Sequence, residues 1–356
     1  MGFLKYVTKY VRENYEVVKI KKEVAEKLRD FARKMGLTIN DALAYLLTNM
    51  GAYLLTNIQD KTNIVDQIAS EVADRVLAGH DWEGAKLLQY PGGDYRIFDQ
   101  LNRLFMAAKA STFVEVFGGS CWCALNVSRS KFKVIVCNDI DEDLINLYKL
   151  IKEKPNDVIK RLAILPFSRE LYDIAVKVMQ DKSADPITKA VLFFYIIRAS
   201  FSAKFGKGFS VSKVQNHAER YTSAIASIVE YAKRFKDVVL ECKDFREAIR
   251  LYDSESTLFY LDPPYVGKNR EDYYRHSFTI ADLRSMAKLL KTVKGYWVLK
   301  IAEDNYELIK DALPAHEVEE VKTFLSMKKV MGEERPELKY LIAHNIKIPK
   351  ASLLLR

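Results

Sequence analysis

The sequence predicts an α/β protein, a doubly wound and mostly parallel sheet interrupted by a long helical insertion. Three observations carry that expectation. Short apolar runs at 113–117, 133–137, 238–242, 257–261 and 296–301 alternate with stretches of helical period, as strands joined by crossover helices do. Four of these runs lead into Gly118-Gly119 or into an acid, Asp139, Asp244 or Asp262, and such sheets handle ligands at the carboxyl ends of their strands. Residues 142–235 read almost wholly as helices and break the strand series.

Composition bounds the class. A chain of 356 residues is long enough for two or three domains and a large core. No apolar run approaches the roughly 20 residues of a membrane span. The N-terminus meets Lys5 too early for a secretion signal, so a cytoplasmic protein is expected. Cys121, Cys123, Cys137 and Cys242 make a poor zinc pattern and are expected to be reduced thiols. The five histidines show no metal-ligand spacing, and no metal is expected. Lys and Arg outnumber Asp and Glu by 56 to 47, an excess that permits a polyanionic partner without requiring one.

From the N-terminus, Glu16 to Lys21 alternates like a short strand, and Glu23 to Met35 has helical period closed by Gly36. Thr38 or Asn40 then caps a second helix. Residues 1–58 thereby resemble the ribbon-helix-helix DNA-binding family, in which two chains pair their strands in a major groove. That resemblance implies a homodimer through this region, with Lys19 and Lys21 facing DNA. A helical hairpin packed on the main domain is the plainer alternative. Residues 59–84 read as a helical connector, ending in the loop His80 to Gly84.

The catalytic candidates follow from residue 85. Gly118 and Gly119 end a strand in a tight turn that lets backbone approach a ligand. Asp139 lies twenty residues after Gly119, the spacing used to hold ribose hydroxyls. G-x-G-x-x-G is absent, so the pair speaks for a nucleoside-bearing cofactor in general. Within the insertion, Arg198, Ser200, Lys204 and Lys207 belong to a basic, aromatic, Gly-containing segment. Such a segment suits nucleic acid through phosphate neutralisation and stacking, though a solvated basic face over an aromatic core reads equally well. The run 258–261 delivers Asp262, followed by Pro263, Pro264 and Tyr265. A carboxylate and a backbone carbonyl side by side accept hydrogen bonds and donate none, which suits a substrate NH2 group. A solvated turn residue is the plainer reading of Asp262.

Taken in order, Tyr90-Pro-Gly-Gly93, Glu115 to Ser120, Asn138-Asp139, Asp244-Phe245, Asp262-Pro-Pro-Tyr265 and Glu337 to Asn345 resemble the Dam-like, alpha-group adenine-N6 DNA methyltransferases. The likeness covers residues 85–346 and excludes the N-terminal region and the basic tail 347–356. It implies a seven-stranded Rossmann-like methyltransferase sheet whose insertion, about 150–235, recognises the target. It also implies S-adenosyl-L-methionine as methyl donor, double-stranded DNA as substrate, and an adenine flipped out of the stack. By the same resemblance Tyr90, Gly92 and Gly93 close over the donor's methionine end, and Phe117, Gly118 and Gly119 form the turn beneath it. Asp139 then holds ribose, Asp244 the adenine amine, and Phe245 packs near that ring. Asp262 and the Pro263 carbonyl accept the target amine's hydrogens, while Tyr265 stacks on the base.

The chain departs from the family at Asp94, where a Lys usually follows the Gly-Gly pair. Arg96 is expected to substitute for that cation. The residues leave open a catalytically inert DNA-binding body, or methylation of cytosine N4 or RNA adenine. They specify neither a recognition sequence nor a restriction endonuclease partner.

Overall fold

The computed structural model describes residues 29, 33, 70, 72–74, 76–77, 87–88, 94–180, 184–200, 205–267, 275–324 and 337–347, without the side chains of 323–324 and 337–338. The ribbon-helix-helix expectation with Lys19 and Lys21, together with Tyr90, Gly92, Gly93, Lys204 and the tail beyond 347, lies outside the described residues. Positions 70, 72–74 and 76–77 of the expected connector are helical.

A 3-10 turn at Asp94–Arg96 leads into α1 (Phe98–Ala107), β1 (Thr112–Glu115), α2 (Trp122–Asn126), β2 (Val134–Asn138) and α3 (Glu142–Glu153). The insertion supplies α4 (Pro155–Ala163), α5 (Arg169–Met179), α6 (Pro186–Ala199) and α7 (His217–Phe235). Then come β3 (Val238–Glu241), α8 (Phe245–Tyr252), β4 (Thr257–Leu261), α9 (Ile280–Leu290), β5 (Tyr296–Ala302), α10 (Glu303–Glu307), β6 (Glu317–Phe324) and β7 (Glu337–His344). The chain divides into two compact units, one of residues 89–149 and 233–356, the other of 150–232 with 1–88.

In the first unit seven strands form one sheet in the order β3-β2-β1-β4-β5-β7-β6. The expected mostly parallel sheet needs correction. Pairings among β1 to β5 are parallel, but β7 is antiparallel to both β5 and β6, so the sheet is mixed. The last strand enters between two that already run the same way, and no local pattern in its residues announces that. All five residues of β4 are buried, because helices such as α9 cover a sheet of this kind. One core groups Val114, Phe259, Leu261, Leu283, Met286, Trp297 and Leu299. The order reverses at β1, whose neighbours are β2 and β4, and a crevice opens outside the carboxyl ends of strands at such a switch point.

The turn after β1 is fixed from below. A Cβ on Gly118 would meet Cys137 Sγ at 2.5 Å and the Asn138 carbonyl oxygen at 2.8 Å, so only glycine permits this approach to β2. Gly119 follows with a φ of +47°. Cys121 and Cys137 form a disulfide, which corrects the expectation of four reduced thiols for this pair; Cys123 and Cys242 are free. Asn138 ties three strand ends together, donating to the Val116 and Lys243 carbonyls and accepting from the Lys243 N–H.

In the second unit Asp185 caps α6 and Pro186 opens it. Residues 190–199 are buried on every side, as a central helix of a bundle must be. Phe209 rests against Phe167 and Tyr172, and Phe205 against Phe193. Among the described residues no helix is long and apolar enough to cross a membrane.

Candidate active site

The strand ends converge on an open cleft in the sheet unit. Its lining brings together Phe117, Gly118, Gly119, Asp139, Asp244, Phe245, Asp262, Pro264 and Tyr265, which the sequence offers in four separate stretches. Pro263 is buried behind them.

At one end the cleft is aromatic and acidic. Phe117, Phe245 and Phe278 pack with ring centroids 5.5 to 5.9 Å apart. Asp139 Oδ2 accepts the Gly119 N–H at 2.8 Å and Oδ1 the Asp141 N–H at 2.9 Å. Burial pushes the Asp139 carboxyl up, and these two hydrogen bonds oppose the rise. A carboxylate has about four acceptor sites, so capacity remains for hydroxyls. Asp244 caps α8 through the Arg246 N–H at 2.8 Å and holds the Arg246 guanidinium at 2.9 Å. An apolar ring wall beside two carboxylates fits an adenosine-bearing group, whose flat base and hydroxyls need those partners.

Phe278 was not legible as a wall residue, because it follows no strand. Three residues before it, Arg275 donates from Nη1 to both Asp141 carboxylate oxygens at 2.7 and 2.8 Å and from Nη2 to Asp143 at 2.7 Å. Burial acts against the charge on Asp141, but His276 and Arg275 outweigh it and hold its carboxyl below the usual range.

At the other end stands Asp262. Its Oδ1 accepts the Tyr265 hydroxyl at 3.0 Å and its Oδ2 the Lys300 ammonium at 2.8 Å. Lys300 also reaches Asp94 Oδ1 at 2.5 Å, and Asp94 Oδ2 accepts the Tyr260 hydroxyl at 2.7 Å. Asp94 is thus buried and paired with Lys300, while the exposed Arg96 donates from Nε to the neighbouring Tyr95 hydroxyl. Burial pushes the Asp262 carboxyl up to about 6, with Lys300 pulling it down and Asp94 adding to the rise. Burial also opposes the charge on Lys300, but Asp262 and Asp94 prevail and hold it well above the usual lysine range. Asp94, Glu115 and Cys123 place donor atoms within 4.8 Å of one another, yet the cation at Asp94 is already Lys300. The loop after Asp262 is clamped by Asn305, whose amide both accepts from the Val266 N–H and donates to the Val266 carbonyl at 2.8 Å.

The expected DNA-facing residues separate. Arg198 is 8% exposed and donates to the Arg220 carbonyl at 2.7 Å, and Ser200 is buried against the Tyr172 hydroxyl. Ser200 bridges to Phe209, and beside it the Ser210 N–H meets the Ala199 carbonyl at 2.7 Å, so the loop 205–210 is held to the end of α6, whereas Arg198 ties α6 to α7. Of the aromatics in this segment, Phe205 and Phe209 contact rings of their own unit, while Lys207 and Lys213 are exposed.

A profile of the D12 class N6 adenine-specific DNA methyltransferases matches residues 90–327. The chain is also similar to three proteins called DNA adenine methylase. With that of Haemophilus influenzae it is 26% identical over 239 residues, 62% of this chain and 79% of the relative. With that of Escherichia coli K12 it is 25% identical over 222 residues, 57% and 74% of the two chains. With that of Serratia marcescens the figures are 24% over 245 residues, 63% and 85%. The match takes in well over half of the sequence and every strand-end motif that lines the cleft, and it makes this chain a member of the D12 class N6 adenine-specific DNA methyltransferase family.

Proposed function

We propose that this adenine-N6 DNA methyltransferase uses S-adenosyl-L-methionine and acts on an adenine flipped out of double-stranded DNA, with Asp262 and the Pro263 carbonyl accepting the hydrogens of the target amine. One observation carries the reading: a single cleft is lined both by the ring-and-carboxylate end and by Asp262, Pro264 and Tyr265. S-adenosyl-L-methionine supplies a methyl group on a cationic sulfur that leaves as a neutral thioether. Phe117, Phe245 and Phe278 would form an apolar wall for its adenine, with Asp244 for the amine and Asp139 for the ribose hydroxyls.

The chemistry left to the chain is that of a poor nucleophile. The adenine amine shares its lone pair with the ring, and accepting its hydrogens favours the pyramidal nitrogen that attacks. Positive charge grows on that nitrogen as it gains the methyl. An ionised Asp262 therefore stabilises the transition state more than the ground state, and takes the proton the nitrogen must lose. A base inside a duplex is out of reach, so the adenine must leave the stack, and Tyr265 offers it a ring face. Lys207 and Lys213 are exposed cations proposed to meet phosphate, with Ser200, bridged to Phe209, holding the loop that carries Lys207.

Asp262→Ala should lower methyl transfer from labelled donor to DNA by roughly a thousandfold or more, while donor binding by calorimetry stays near wild type. Wild-type turnover in that variant removes Asp262 from the chemistry. A homodimer through residues 1–58 and a restriction endonuclease partner are further proposals of the same reading. Gel filtration of the chain lacking those residues tests the first.

A further inference from the structure

We infer that Lys300 and Asp94 are a positioning pair for Asp262, which holds its carboxylate ionised and aimed into the cleft while the lysine is kept from neutralising it outright. The inference rests on Asp262 as the amine's acceptor.

The triad is built along a gradient of exposure. The side chains of Lys300 and Asp94 are 2% and 6% exposed, and that of Asp262 is 16% exposed, so Asp262 is the most open of the three, although Asp94 also borders the cleft. The Lys300 ammonium sits between the two carboxylates and 5.0 Å over the Tyr340 ring, which itself packs on Tyr265. Lysine in the middle of a buried strand is rare unless paired. A buried ion cluster is also seldom more stabilising than apolar residues of similar volume. Stability therefore does not account for the cluster, whereas the needs of a working carboxylate do.

Those needs conflict. Without a cation a buried Asp262 would take up a proton near neutral pH and could no longer accept both amine hydrogens freely. With a cation of its own it would be quenched as the counter-charge for a developing ammonium. Two carboxylates sharing one ammonium leave a net negative charge, and Asp94 takes the inner half of the lysine. The groups that face Asp262 are Lys300 from β5, Asp94 from the 3-10 turn, Tyr260 from β4, Glu115 from β1, Cys123 from α2 and Tyr265 from its own loop. Burial pushes Glu115, Cys123 and Tyr260 well above their ordinary values.

The test is the pH profile of methyl transfer by the full chain, with labelled S-adenosyl-L-methionine and unmethylated genomic DNA. Ionised Asp262 is the active form, so wild-type kcat/KM should fall on acidification through about pH 6. Lys300→Met removes the attractive charge and should move that limb up by about one unit or more. Asp94→Asn removes the like charge and should move it down, with a severalfold lower plateau of kcat and an unchanged KM for the donor. Opposite shifts are a signature that a merely structural role does not produce. Limbs that stay in place, or move together, overturn the inference. Asp262→Asn runs alongside: if it keeps wild-type turnover, the acceptor assignment itself fails; if it is inactive while the limbs stay fixed, only the positioning pair fails. Should Lys300→Met not fold, carbon-13 NMR of the Asp262 carboxyl in the wild type and Asp94→Asn decides without any activity. A lower midpoint in Asp94→Asn supports the pair, and equal midpoints overturn it.

Discussion

A buried carboxylate such as Asp94 persists only if a nearby charge answers it, and the answer here lies 206 residues away in the chain. Position 94 by itself announces a lost cation, and Arg96 is the natural local substitute. Folding instead brings Lys300 up from β5, so the cation is present but comes from a different strand. Gly118 shows the same dependence on distant neighbours. As a strand-end glycine it reads as an opening for a ligand, whereas its missing side chain makes room for Cys137 and Asn138. Gly118→Ala should therefore cost about 1–3 kcal/mol through overpacking, measured by denaturant unfolding. Unchanged stability would show that the turn relaxes without loss.

Among the elements, strand ends supply most of the cleft, and a short segment between β4 and α9 supplies the rest. Residues 275–278 belong to no strand or helix before Ile280, yet they carry Phe278 to the ring wall. The expected anchor is Arg275, whose Nη1 meets both oxygens of the buried Asp141 carboxylate, so its loss affects stability as well as position. Arg275→Ala should weaken donor binding roughly tenfold, about 1.4 kcal/mol, and should also lower the unfolding midpoint, because the buried Asp141 carboxylate loses its cation. Calorimetry of the variant checks this, and equal affinity would mean that Phe278 needs no such anchor. The strand ends were legible because a run of apolar residues and the acid that terminates it are adjacent in sequence. The segment 275–278 was not, because its role is set by Asp141, Phe117 and Phe245, none of which is its neighbour in the chain.

For the molecule as a whole, the excess of basic residues matters only where the side chains reach solvent. Arg198 and Lys207 both read as phosphate contacts, but the guanidinium is buried on the Arg220 carbonyl and the ammonium is exposed. Burial lowers the Arg198 guanidinium to about 10, still charged at neutral pH. Lys207→Ala should weaken DNA binding and reduce the slope of log K against log salt by about 1. Arg198→Ala should lower thermal stability, with DNA affinity changed only as folding is lost. The reverse pattern in a salt titration would exchange their roles.

The sequence by itself determined the fold class, the order of the strand-end motifs and the identity of the acid and prolines after β4. Each of these is written in contiguous residues whose chemistry and period are local. Tertiary structure decided the antiparallel entry of β7, the pairing of Cys121 with Cys137, the inward turn of Arg198, the ring wall completed by Phe278, and the sharing of Lys300 between Asp94 and Asp262. Those features depend on which distant side chains meet in a dry interior, where one misplaced charge costs more than any local preference can offset.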